Sequence, residues 1–213
     1  QALVRDVEIL QAPDGTESAL TTGALPWHAE TVVQSQPGLI NQNSLDSLSI
    51  ASLTGGGVAR VFQLSSADTE HGGKLFVQVL DGDGGIVHTS DPFGIKNENI
   101  PDPIKAYTER PVLTELPDGG FAVAWTEQTG STNYVRDSET RTFVQVFNDD
   151  GTARGAKIKL LDNSASTSYD YPLEYSLSTL QTGELLFSAE MYQSSRMVQY
   201  VLETDGTLVD AIA

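Results

Sequence analysis

Cysteine is absent from the 213 residues, which excludes thiol catalysis, a cysteine-zinc site and a disulfide framework. Positive charge is scarce, with 12 Lys and Arg against 29 Asp and Glu and a net charge of −17. Such a surface repels phosphate backbones and anionic lipid, so nucleic acid is excluded as a partner class. No apolar run reaches the length of a membrane span, and membrane insertion is not expected. The opening residues, Gln1-Ala-Leu-Val-Arg-Asp6, carry neither an initiator Met nor a basic-then-apolar leader, and the chain reads as a mature or excised piece.

Catalytic signatures are equally sparse. His28, His71 and His88 are scattered, with no His-Glu-x-x-His pattern and no metal-ligand spacing. No Gly-x-Ser-x-Gly elbow occurs, and Gly55-Gly56-Gly57 lacks the Lys and helix of a phosphate loop. Carboxylates are plentiful, but no pair stands out as the acid and base of a glycosidase.

Helical periodicity is also poor, and alternation takes its place. Val144 and Val146 alternate with Phe143, Gln145 and Phe147; Phe121, Val123 and Trp125 alternate with Ala122 and Ala124. These period-two runs have strand length and end in Gly, Asp, Asn or Pro. An all-β fold follows. One phrase recurs: Leu116-Pro-Asp-Gly-Gly-Phe-Ala-Val-Ala-Trp125 then Phe143-Val-Gln-Val-Phe-Asn-Asp-Asp-Gly-Thr152. Looser copies are Leu53–Val58 with Phe76–Gly84, and Leu180–Phe187 with Val198–Thr207.

Alignment of the Asp-Gly turns at Asp14, Asp83, Asp150 and Asp205 divides a single repeat domain, 1–213, into units 1–47 (partial), 48–106, 107–168 and 169–213. Each complete unit reads as about four antiparallel strands, giving a propeller-like array with a β-sandwich as the alternative. In the third unit the expected strands are Arg110–Leu116, Gly120–Thr126, Arg141–Phe147 and Ala156–Leu160, and along the chain insertions are expected at Ser18–Pro26, Ser65–Gly73, Asn97–Tyr107 and Gln128–Thr140. The partial first unit leaves too few sheets for most closed propellers. Unpaired edges seek partners, so copies of the chain or companion chains of a larger assembly are expected.

The phrase resembles β repeats of very large secreted proteins of environmental and marine Gram-negative bacteria, which often also carry calcium-binding RTX nonapeptides. The resemblance is good over 110–160 and looser elsewhere. It implies a propeller-like repeat, export, and a location outside the cell or at its surface. The chain lacks the Gly-Gly-x-Gly-x-Asp array, so calcium-driven folding is not carried over. The acidic, cysteine-free, Gly- and Ser-rich composition points to the same compartment.

Two constellations could carry binding. Asp81 and Asp83, and Asp149 and Asp150, place carboxylates at turn spacing where calcium would find oxygen ligands. The same residues also serve a hairpin turn, because Asp bonds its own backbone and Gly accepts positive φ. Tyr169, Tyr171 and Tyr175 would share one face of an extended segment, and Trp27 lies in an insertion; aromatic faces of this kind hold sugars or form a buried strand side. No cofactor beyond calcium is suggested. The leading expectation is a non-enzymatic structural, adhesive or assembly module. Its rivals are a calcium-assisted carbohydrate-binding module and the non-catalytic part of a multi-chain secreted hydrolase.

Overall fold

The structure is a computed structural model that describes residues 45–64, 74–94, 104–131, 139–162, 170–205 and 207–212. All but the last three residues of the partial first unit, with Trp27 and Tyr169, lie outside the described residues. Among the described residues there are twelve strands, and all run antiparallel to their neighbours. They are β1 (Leu45–Ser52), β2 (Val58–Leu64), β3 (Leu75–Leu80), β4 (Ile86–Thr89), β5 (Ile104–Glu115), β6 (Phe121–Ser131), β7 (Glu139–Phe147), β8 (Ala153–Asp162), β9 (Pro172–Thr179), β10 (Leu185–Met191), β11 (Met197–Leu202) and β12 (Leu208–Ile212). Three four-stranded meanders result, β1 to β4, β5 to β8 and β9 to β12, with strands in chain order across each sheet.

The recurring turns explain the meanders. At Leu53, Leu116 and Leu180 the backbone N–H donates to the carbonyl four residues on, while Gly56, Gly119 and Gly183 donate back to that leucine. Those glycines have φ of 86°, 90° and 100°, the left-handed region that a side chain resists. The turns after β3 and β7 repeat the pattern with Gly84 and Gly151. One turn chemistry therefore sets the register of five hairpins.

Alternation then decides what each face buries. Ala59, Val61, Leu75, Val77 and Val79 of the first sheet pack on Phe121, Val123, Trp125, Phe143 and Phe147 of the second. The other face of the second sheet, with Ala122, Ala124, Val144 and Val146, packs on Leu177, Leu185, Phe187, Ala189, Val198 and Leu202 of the third. Small residues on one face thus meet large ones on the next. Each fully buried large side chain, Trp125 and Phe187 among them, contributes about 1.5–3 kcal/mol.

The first strands of successive sheets lie side by side, β1 against β5 and β5 against β9. Each is an edge strand, and hydroxyl groups satisfy the edges. Leu113 N–H donates to Ser49 Oγ at 3.1 Å. Thr54 donates from both N–H and hydroxyl to Glu115 Oε1. Thr179 donates its hydroxyl to the Glu115 carbonyl and lies 3.5 Å from Thr114 Oγ1. The described sheets stack in series without closing a ring.

The strands of the second sheet run longer than the sequence reading, β7 from Glu139 and β8 over Ala153–Asp162 included. β5 begins at Ile104 and β6 continues to Ser131, so the second sheet takes in much of what composition had assigned to insertions. Polar residues such as Thr108 and Glu127 are held there by pairing, whereas the alternation had signalled only the half-buried part. Pro111 sits in β5 where the register slips between Glu109 and Val112, and Pro172 opens β9; an edge strand or a strand start tolerates the missing N–H.

Candidate functional site

The Asp turns come first. Asp81 Oδ1 accepts the N–H groups of Asp83 at 3.0 Å and Gly85 at 2.7 Å. In the second sheet the work passes two residues along: Asp150 Oδ1 accepts Thr152 N–H at 2.8 Å and its hydroxyl at 2.6 Å. Asp205 repeats this with Thr207 N–H at 2.8 Å. In the first-sheet turn Gly85 stands where the later turns have Thr, and Asp81 reaches over the turn to accept its N–H. The Thr152 hydroxyl, then its N–H, hold the Asp150 carboxyl below the usual range, and the Thr207 N–H does the same for Asp205. The exposed Asp149 lies in the same turn as Asp150. Among the described residues no three His, Asp or Glu side chains gather as a metal-ligating group.

A longer-range link ties the β7–β8 hairpin of the second sheet to its β5–β6 hairpin. Arg154 donates to Asp118 Oδ2 at 2.6 Å and to Asn148 Oδ1 at 3.0 Å. The Arg154 hydrogen bond is the main cause that lowers the Asp118 pKa.

The tyrosines divide. Tyr175 packs on Phe187 with ring centroids 5.6 Å apart and belongs with Leu177 to the core between the second and third sheets. Tyr171 precedes β9 and stacks on Tyr192 at 4.9 Å, with 16° between the rings; Tyr192 N–H donates to the Tyr171 carbonyl at 2.8 Å. The pair is a clasp across the β10–β11 connection rather than one side of a strand. Asp170 completes the clasp, accepting Gln193 N–H at 3.0 Å, Ser194 N–H at 3.1 Å and Ser194 Oγ–H at 2.7 Å. Burial pushes the Asp170 carboxyl upward, but these bonds, led by the Ser194 hydroxyl, outweigh it and leave the pKa below the usual range. Ser195 in the same turn has φ of 49°.

Sequence reading missed a buried charged group. Trp125 Nε1–H donates to Glu127 Oε1 at 3.0 Å, and Lys157 Nζ lies 3.1 Å from the same oxygen. Lys157 also stands 4.0 Å from the Phe143 ring centroid. Glu127 is two residues beyond Trp125, hence on the same face of β6, and that spacing was the available signal; Lys157 comes from β8. One carboxylate neutralised by one ammonium suits the fixing of an indole and is not the two-carboxylate arrangement of glycoside hydrolysis.

The first sheet carries a counterpart at matching register. Phe62 pairs with Phe76 as Trp125 pairs with Phe143, and each pair is stacked, at 5.6 and 5.7 Å. Arg60 Nε donates to Gln78 Oε1 at 2.8 Å and its guanidinium lies 5.9 Å from the Phe62 centroid. Burial lowers the Arg60 pKa from its ordinary value. Both aromatic pairs occupy equivalent repeat positions in the core, as the aligned phrases suggested for Phe62 and Trp125.

No protein-family model matches the chain, and no curated protein matches it significantly.

Proposed function

We propose that the chain is a non-enzymatic structural or adhesive module of an exported protein, acting by assembly with copies of itself or with companion chains. The observation that carries this reading is the serial stacking of three alike four-stranded units that do not close on one another. Repeat stacks of this kind build extended surfaces by adding units. The resemblance of residues 110–160 to repeats of large secreted bacterial proteins supports an extracellular or cell-surface location, and the side-by-side packing of successive first strands fits a propeller-like arrangement. The depressed carboxyls of Asp118, Asp150, Asp170 and Asp205 bind turns, which fits a scaffold. Light scattering after size exclusion, with calcium and again with chelator, tests the reading. A discrete oligomer or filament supports it, and its loss in chelator would add calcium as the assembling ion. A single mass of 22.9 kDa under both conditions overturns self-assembly.

One observation favours a carbohydrate-binding reading: the Tyr171–Tyr192 stack, whose Tyr192 is half exposed, offers an aromatic face of the kind sugars stack on. Tyrosine fluorescence titrated with glycans, with and without calcium, separates the two. A saturable change abolished by Tyr192→Ala would establish it, and an unchanged spectrum would rule it out.

A further inference from the structure

The three sheets share one register, so the face that each presents toward the next unit can be compared residue for residue. On the first sheet the central row across the strands is Ser49, Val61 and Val77, with Ser49 already engaged by Leu113 of the second sheet. On the second sheet it is Val112, Ala124, Val144 and Ile158, apolar throughout and packed on the third sheet. On the third sheet the same row reads Ser176, Ser188 and Gln199 and ends at Ile212 on the edge strand. The Gln199 amide donates to Ser188 Oγ at 3.2 Å, so the polar atoms partner each other within the sheet. In the neighbouring row Glu174 stands directly opposite Glu190, and both are exposed. Like charges directly opposite destabilise a sheet, and burial without a counter-charge would raise that cost greatly.

The opposite faces show no such change. Toward the preceding unit the third sheet presents Leu185, Phe187, Ala189, Val198 and Leu202, all buried against the second sheet. The first sheet presents Phe62 and Phe76, each only 3% exposed. The first sheet's face also carries the hydrogen-bonded Arg60 and Gln78, and the third sheet's outward face sets Leu186 opposite Val201 beside its polar row; what distinguishes the latter face is that polar row flanked by two opposed, exposed carboxylates.

We infer that the third sheet is the terminal cap of the repeat array, its Ser176–Ser188–Gln199 row and Glu174–Glu190 pair keeping water on a face that would otherwise accept a further unit or a second copy. Terminal repeats with a polar outer face are what a stack of repeats needs to remain soluble. The array then has a polarity: it is finished on the β9–β12 side. This goes beyond the assembly reading, since a finished face here leaves assembly to other surfaces.

The absence of native cysteine makes the test direct. Ser176→Cys places a single thiol on the face, and Ala124→Cys places one in the matching row of the second sheet, which is buried. With the full chain held above and below any concentration at which it assembles, Ser176→Cys should react with a thiol reagent at one undiminished rate, while Ala124→Cys is slowed at least about 100-fold by the need for opening. Protection of Ser176→Cys, constant or growing with concentration, would overturn the inference, because something then covers the face. Assembly that leaves Ser176→Cys reactive keeps the two proposals distinguishable. In a second arm, Ser188→Ala with Gln199→Val and Glu190→Ala recreates the interior row. Its mass by light scattering should at least double relative to the parent as concentration rises, and a mass equal to the parent's at every concentration would show that this row does not block stacking.

Discussion

The indole N–H of Trp125 donates to Glu127 Oε1 at 3.0 Å, in a setting where Trp125 is 1% and Glu127 4% exposed. A buried donor that loses its acceptor costs about 1–3 kcal/mol. Glu127→Ala is therefore expected to destabilise by about 2 kcal/mol, and Glu127→Gln, which keeps an acceptor but discards the charge opposite Lys157, by less. Urea unfolding of the two variants checks the order; equal losses would mean that the ion pair, not the indole bond, sets the cost.

Gly151 gives a second handle. At φ 85° a Cβ there would lie 2.7 Å from His88 Cδ2 and 3.0 Å from Val79 Cγ2, so the β7–β8 turn of the second sheet rests against the first. Gly119 has a similar φ of 90°, with the nearest atom 4.0 Å away. Both alanine variants suffer the left-handed backbone cost of about 1–2 kcal/mol, and Gly151→Ala should lose more by displacing its neighbour. Thermal melts that rank Gly119→Ala as the more damaging would contradict the face-to-face placement of these sheets.

Acid stability follows from the turns. Asp118, Asp150, Asp170 and Asp205 all have carboxyls held below the usual range. A depressed folded-state pKa contributes stability that is complete above the unfolded-state value and is lost as pH falls through the folded one. The melting temperature should therefore fall most steeply below about pH 4. Asp118→Asn and Asp170→Asn should each lower it at pH 7 and flatten the acid limb. An unchanged acid limb in both would show that these carboxylates carry no linked proton.

The Asp170 clasp predicts a local effect as well. Asp170→Ala frees the Gln193 and Ser194 N–H groups, and amide exchange over 192–196 should quicken by at least about tenfold, the effect of roughly 1.4 kcal/mol of lost local protection. Exchange in β6 should stay as it was. Uniform acceleration through all three sheets would mean that the clasp supports the global fold.

Much of the architecture was readable in the chain because one turn carries it. Leu116-Pro-Asp-Gly-Gly names a hairpin by itself, and Phe121, Val123 and Trp125 name the face they bury. The sheet count and the equivalence of Phe62 with Trp125 follow from those two signals. Strand ends were less legible, since Thr129 and Glu139 pair through backbone groups that leave no mark in side-chain alternation. The tyrosine segment misled for a related reason: Tyr171 lies before the strand starts, and its partner Tyr192 comes from a different hairpin. Lys157 beneath Trp125 and the hydroxyl seam along β1, β5 and β9 depend on residues far apart in sequence. Only packing brings them together.

The account rests on successive units lying side by side along their first strands, and Thr114 and Thr179 report on it directly. Their Oγ1 atoms are 3.5 Å apart across two separate sheets, close enough for sulfurs at those positions to bond after a small side-chain rotation. In this cysteine-free chain, Thr114→Cys with Thr179→Cys should form one intramolecular disulfide under mild oxidation. Peptide mapping would recover a β5–β9 crosslink within a single chain. Free thiols after oxidation, or crosslinks found only between chains, would contradict the stacked arrangement.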